Sequence, residues 1–327
     1  MRRESRLRLF AGALALCSLW LPESVRAATR VFILAGQSNM VGLGKVSGIP
    51  AGYLNGAGKV AYYVTAPAGI SPYEFTNPIK AGNAAESSSC NSGTQYISKG
   101  NFGPEVGMAK VLAAAYPADK IVLVKAAWGG TSLATGWVGG SAPTYIWFRN
   151  QTRLMLDDLK MKFPGYQLQA IVWLQGETDG SDPNFAKAYK ANFQTLIAKM
   201  RTDFGANLPF LYGTIQNSGT TAGGRVWPYG NAVVHVQRTL RGIANLGCTS
   251  KSSSGKATVY TEEYGAQCSS TPCAEPCYGY NRFHYNADGA LFVGESLGNL
   301  VKDYFAKGTN AIVKCNDYTL QDVVGGN

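Results

Sequence analysis

A serine at the end of an apolar run is the first residue in this chain that could act as a nucleophile. In VFILAGQSNMVG, Val31 to Gly42, the apolar residues Val31 to Leu34 lead through Ala35 and Gly36 to Ser38. An unbroken apolar run ended by glycine predicts a buried strand of a parallel sheet. Ligands of such sheets bind beyond the carboxyl ends of the strands, which is where Ser38 falls. The competing role for Ser38 is to cap the helix that follows. A serine nucleophile needs a base, most often histidine, and the chain has only two. His235, in NAVVHVQRTL, has apolar neighbours and reads as the structural middle of a helix. His284, in NRFHYNADG, lies in a polar loop just before a helix, at a second irregular junction. Its alternative role is that of an ordinary surface-loop histidine.

Other loops repeat the layout of strand followed by small and polar residues. VWLQGETDG, Val172 to Gly180, carries Gln175 and Glu177 at the end of an apolar strand. AAWGGTSL, Ala126 to Leu133, follows another strand, and NFGPEVGMA opens a helix at Gly103. Glycine-rich turns in such places can present backbone N–H groups to a developing oxyanion. Trp128, Trp137, Tyr145 and Trp147 cluster in and after the Gly129–Gly130 loop. Their ring faces suit the stacking of a sugar, the alternative for Tyr145 and Trp147 being to pack the start of the next helix. Trp173 sits within a strand and reads as core.

These residues need a scaffold, and the pattern supplies one. Strand-like runs occur at Arg30–Ala35, Lys59–Val64, Lys120–Ala126, Leu168–Leu174, Pro209–Ile215 and Ala257–Thr261. Helical periodicity falls between most of them, at Pro104–Tyr116, Ala142–Phe163, Asp182–Phe204 and Trp227–Asn245. A last helix is striped by Val293, Leu297, Leu300, Val301 and Tyr304. Asp182–Pro183 is a start signal for its helix. Alternating strands and helices imply a parallel sheet covered on both faces. One domain is expected from residue 28 to 307, interrupted by irregular insertions at 65–102 and 246–256, with a C-terminal tail at 308–327.

Residues 1–27 read as a cleavable secretory signal, with a basic start, an apolar stretch from Leu7 to Leu21, and Val25 and Ala27 small at the two specificity positions of a cleavage site. The expected location is therefore secreted or periplasmic, an uncleaved anchor being the alternative. The bulky Leu16 before Cys17 argues against lipidation. Removing this segment takes away five Arg and two Glu, so the formal charge falls from +10 to about +7. The basic residues are scattered and no nucleic-acid motif accompanies them, so neither nucleic acid nor a stable membrane partner is expected. The oligomeric state is left open. Six cysteines remain, Cys90, Cys248, Cys268, Cys273, Cys277 and Cys315. An even number in an exported chain suggests disulfides, whose pairing the spacing does not choose. Zinc held through Cys273 and Cys277 is the alternative, and no metal or other cofactor is expected.

Taken in order, GQSNM, FGPE, WGGTSL, WLQGETD and the late histidine before a helix resemble the SGNH-hydrolase superfamily. Within it they resemble the sialate O-acetylesterase-like domain of carbohydrate esterase family 6, over about Arg30 to Phe305. The resemblance implies a three-layer, flavodoxin-like α/β/α fold with a central parallel sheet. It implies metal-free removal of O-acetyl groups from carbohydrate such as xylan, pectin or sialic-acid derivatives, through a Ser38 acyl-enzyme with His284 as general base. It further implies an oxyanion hole drawn from the Ser38 N–H, Gly103 and Gln175, with Asn39 orienting the serine loop and near the substrate. The aromatic cluster adds Trp128 and Trp137, with Gly129 and Gly130, as candidate substrate contacts. Many members carry an aspartate three residues before the histidine, where this chain has Asn281. Either Glu177 serves as the acid, or a serine–histidine dyad works with Asn281 or a backbone carbonyl orienting the ring. Asp288 is better explained by helix capping, and Asp179 as a structural residue. Hydrolysis of a non-carbohydrate ester, or sugar binding without catalysis, are the remaining alternatives.

Overall fold

The computed structural model describes residues 27–45, 48–50, 60–66, 69–71, 101–215, 220–221, 224–225, 227–240, 243–249 and 284–307. The first elements are β1 (Thr29–Gly36), α1 (Ser38–Val41), β2 (Gly44–Lys45), β3 (Val60–Ala66), β4 (Gly69–Ser71), β5 (Asn101–Phe102), α2 (Glu105–Ala115) and β6 (Lys120–Ala127). A π-helical turn (Leu133–Trp137) leads to α3 (Pro143–Lys162), β7 (Gln167–Leu174), a 3-10 turn (Asp179–Ser181) and α4 (Pro183–Phe204). Then come β8 (Phe210–Gly213), β9 (Thr220–Thr221), β10 (Gly224–Arg225), α5 (Gly230–Thr239), β11 (Leu246–Thr249) and α6 (Ala287–Lys307).

The sheet runs β11-β8-β7-β1-β6-β3-β4. All of its neighbours are parallel except β4, which forms an antiparallel hairpin with β3 at the edge. β1 lies at the middle, flanked by β6 on one side and β7 on the other. The chain therefore crosses from one half of the sheet to the other around β1, and the crevice at such a switch point is where an open α/β sheet binds ligands.

The two-residue period of the strands divides the core. Val31, Ile33 and Ala35 of β1, with Val122, Val124 and Ala126 of β6, face α3 and α4. Phe32 and Leu34, with Ile121 and Leu123, face α2 and α6. Strands buried on both faces in this way read as continuous apolar runs rather than alternating ones, which explains the VFIL and IVLV stretches. The three-layer arrangement agrees with the expected α/β/α class. Asp182 caps α4 by accepting hydrogen bonds from the Asn184 and Phe185 N–H groups at 2.8 and 3.0 Å. The helical stripe Tyr189, Phe193, Leu196, Ile197 and Met200 is buried beneath it. On the other face, α6 meets α2 backbone to backbone: a Cβ at Gly107 would collide with the Leu291 carbonyl, and one at Gly294 with that of Pro104. This close seating fixes the start of α6, and with it the segment that carries His284.

Two expectations change. The helix foreseen over 227–245 is confined to α5, because Leu240 leaves the helical conformation and the chain turns back towards the sheet. The insertion foreseen from 246 instead begins with β11, which extends the parallel sheet beside β8. Leu-Gly-Cys-Thr is too short, and its glycine too weak a strand former, to show this in the sequence. Cys248 is buried in β11. The remaining cysteines, the run at Ala257–Thr261, the expected N-terminal signal up to residue 26 and the C-terminal tail lie outside the described residues.

Candidate active site

The turn after β1 is shaped by a close approach of strands. Gly36 has φ 148°, and a Cβ there would lie on the Leu174 carbonyl oxygen of β7, so no other residue fits without movement. Gln37 follows in extended conformation and donates its N–H to Leu174 O at 3.0 Å. Its side-chain Oε1 accepts the N–H groups of Gly176 and Thr178 at 3.2 and 3.4 Å. The glutamine of the GQS motif thus fastens the serine turn to the loop that carries Glu177. Ser38 is the first residue of α1 rather than its cap: the cap position is Gln37, and no side chain caps this helix. Ser38 is 8% exposed.

Asn39, next to Ser38, reaches in two directions. Its Nδ2 donates to Glu177 Oε1 at 2.6 Å, and its Oδ1 accepts the Tyr285 N–H at 3.1 Å. A residue adjacent to Ser38 is therefore hydrogen-bonded to a residue adjacent to His284, so the structure brings the serine, the histidine segment and Glu177 together around one amide. Asn286 precedes α6, and its Oδ1 accepts the Gly289 N–H at 2.8 Å. Asp288 is exposed in the first turn. Asn281 lies outside the described residues.

Burial sets the charge of these groups. Glu177 is 2% exposed, and desolvation raises its carboxyl to about 7 against the stabilising hydrogen bond from Asn39. Among the described residues its other oxygen, Oε2, is buried without a hydrogen-bond partner. His284 keeps some accessible surface, but desolvation lowers its imidazolium to about 4. It is a neutral acceptor at neutral pH, and charging it needs a partner of opposite sign. Asp179, also desolvated, rises to about 6.

The linkage has a definite sign. Glu177 titrates near 7 when folded and near 4.5 otherwise. The protonated form is the one the fold tolerates, so the contribution is fully present below 4.5 and lost as pH rises through 7. His284 acts in the opposite sense: its neutral form is favoured, so stability is lost as pH falls from 6.5 through about 4. Comparing wild type with Glu177→Gln isolates the first term. The unfolding free energy of wild type, relative to the variant, is expected to fall by about 3 kcal/mol between about pH 4.5 and about pH 8. Denaturant titrations of both proteins at the two pH values measure it, and a constant difference would show that Glu177 does not titrate in this range.

Several expected roles are corrected. Gln175 is fully buried and its amide is engaged: Nε2 donates to Thr131 O at 3.0 Å and to Asp179 Oδ2 at 2.5 Å. Its backbone carbonyl accepts Tyr189 Oη–H at 3.1 Å and Gln237 Nε2–H at 2.8 Å. It braces three segments and has no donor left for an oxyanion. The Gly103 N–H is likewise engaged, by Glu105 Oε1 at 2.9 Å. Asn39 is 4% exposed and both ends of its amide are engaged, by Glu177 and by the Tyr285 N–H. Trp137 is fully buried, its Nε1 donating to Thr131 Oγ1 and its ring packed edge-on against Trp173. That leaves Trp128, which is half-buried and meets Trp147 edge-to-face at 4.9 Å. Gly129 is buried and Gly130 exposed beside it.

Asp179 is structural, accepting the Leu133 N–H with both oxygens at 3.1 and 3.0 Å and so joining the WGGTSL and QGETD loops. His235 lies within α5, as expected of a structural residue. Two backbone donors remain at the edge. Among the described residues neither the Ser38 nor the Gly129 N–H has a hydrogen-bond acceptor. Each lies two residues beyond the paired strand ends Gly36 and Ala127, and the Trp128 N–H to Gly36 O bond of 3.0 Å holds the two loops side by side.

One feature was not foreseen. Lys125, a charge inside the apolar strand β6, is 1% exposed and pairs through Nζ with Glu105 Oε2 at 2.9 Å. The same Nζ donates to Val41 O at 2.7 Å. Burial lowers the lysine and Glu105 opposes that shift. The interrupted KIVLVKAA run was the available signal.

A family model described as carbohydrate esterase, sialic acid-specific acetylesterase, matches residues 28–255. No curated protein matches the chain. Among solved structures, a protein of Arabidopsis thaliana aligns with 20% identity and a TM-score of 0.56, over 83% of this chain and 97% of its own. NanS aligns with 15% identity and a TM-score of 0.56, over 86% of this chain and 99% of its own. At these identities the likeness is one of fold.

Proposed function

The chain belongs to the carbohydrate esterase family of sialic acid-specific acetylesterases, and from that membership we propose that it is a secreted enzyme that removes O-acetyl groups from carbohydrate through an acetyl-Ser38 intermediate. The observation that carries this is the Asn39 bridge: Ser38 and His284 are the chain neighbours of a directly hydrogen-bonded pair, Asn39 and Tyr285, at the switch point of the sheet.

In the first step neutral His284 takes the Ser38 hydroxyl proton as Oγ attacks the acetyl carbonyl carbon. The carbonyl π pair moves to oxygen, and the N–H groups of Ser38 and Gly129 receive the charge. The adduct collapses with loss of the sugar oxygen, which takes the proton from the imidazolium. Water then attacks the acetyl-serine, giving one proton to His284; the adduct collapses, Ser38 Oγ recovers that proton, and acetic acid leaves and ionises to acetate in solvent. Imidazolium formation at a site with so low a proton affinity calls for a carboxylate, and what supports Glu177 in that role is its burial, its value near neutrality and an Oε2 that has no hydrogen-bond partner among the described residues. The half-exposed Trp128 offers an aromatic face beside the site for a sugar ring.

The test is acetate release by the purified mature chain from acetylated xylan, acetylated pectin and O-acetylated sialic acid, with p-nitrophenyl acetate and p-nitrophenyl octanoate beside them. Release from at least one acetylated carbohydrate, with poor turnover of the octanoate, is the expected outcome. Faster turnover of the long-chain ester would redirect the assignment to a lipid-type esterase, and an inert folded protein that still binds sugar would make it a binding module.

A further inference from the structure

We propose that Asn39 is a positioning residue that couples Glu177 to the histidine segment, one side-chain amide holding the carboxylate with its donor end and the His284–Tyr285 backbone with its acceptor end. The inference rests on the reading of Ser38 and His284 given above. Both bonds are buried and join segments 138 and 246 residues apart in the chain, so no local turn geometry accounts for them. An amide is the one small side chain that offers a donor and an acceptor on adjacent atoms without charge. A carboxylate would repel Glu177, and an apolar residue would leave Glu177 Oε1 without its bond and the Tyr285 N–H without an acceptor.

The consequence is directional. The Asn39 bond stabilises the ionised form of Glu177, opposing desolvation. The other titratable groups acting with Glu177 are Asp179 of its own loop and Tyr189 of α4, with His284 on the segment that Asn39 ties in. Loss of the amide therefore moves Glu177 further towards its neutral form and releases the backbone next to His284 in the same stroke.

The experiment uses the full mature chain and three variants, Asn39→Ala, Asn39→Asp and Asn39→Ala/Glu177→Gln. With only two histidines in the chain, imidazole resonances in a pH titration by NMR report on His284 without requiring turnover. Asn39→Ala is expected to shift the His284 signal, to lower kcat about ten- to a hundredfold with KM changed less than about twofold, and to move the acidic limb of kcat to higher pH. Asn39→Asp keeps the acceptor for Tyr285, and at low pH the introduced carboxyl shares a proton with Glu177 and restores the donor. Its activity should therefore recover on the acidic side and fall where that proton leaves, an alkaline loss that wild type lacks. The double variant should lose little more than Glu177→Gln alone. Multiplicative losses in the double variant, or a His284 signal and pH profile unmoved by either single substitution, would overturn the coupling. If no ester is cleaved by any of the proteins while the His284 signal responds as described, the catalytic reading fails and the coupling stands.

Discussion

Ser38→Ala lowers acetate release by about 10⁴-fold or more, His284→Ala does the same, and the double variant is no worse than either single one. The size follows from the division of labour in a nucleophile–base pair, where removing one member disables the other. The non-additivity is the sharper part of the prediction, because two residues contributing independently would multiply their losses. A residual rate above that in buffer should survive in Ser38→Ala, since the backbone N–H groups at positions 38 and 129 are untouched. Stability should hardly change, because the serine side chain caps no helix. Initial rates on the best acetylated carbohydrate, with melting curves on the same samples, decide it. A Ser38→Ala enzyme within tenfold of wild type would exclude the acyl-enzyme.

The parts of this site that were legible in the sequence are those that depend on where strands end. β1, β6 and β7 are buried on both faces, so their apolar runs stand out, and the residues just beyond them could be named. What could not be read is whether a polar group so placed is still available. Gln175 and Gly103 stand at the expected edge, but Thr131, Asp179 and Glu105 already occupy their donors. Trp137 looked like its neighbour Trp128, and only the packing against Trp173 and Phe148 separates a core ring from an accessible one. Asn39 was placed near the serine from its motif, but its two partners come from segments far along the chain. Composition within a motif carries no information about such long-range hydrogen bonds. β11 was missed for a different reason: a four-residue strand at the end of a sheet needs little apolar sequence when β8 supplies the pairing.

Lys125→Met is expected to destabilise the protein by about 3–5 kcal/mol, because it leaves the Glu105 carboxylate buried without its counter-charge. A surface lysine would cost a few tenths of that; here both partners are under 5% exposed. The pair does more than neutralise itself. Glu105 Oε1 holds the Gly103 N–H, and Lys125 Nζ holds the Val41 carbonyl at the end of the serine helix. The double variant Lys125→Met/Glu105→Gln removes both charges while keeping an acceptor for Gly103, so it should regain most of the lost stability. It does not regain the bond to Val41 O. The double variant should therefore be folded but slow, separating the cost of an orphaned charge from the work of holding α1 in place. Chemical denaturation of the single and double variants, with acetate release by the double one, measures the two effects apart. A double variant as unstable as Lys125→Met would mean that packing of the lysine stem, rather than the uncompensated carboxylate, accounts for the loss.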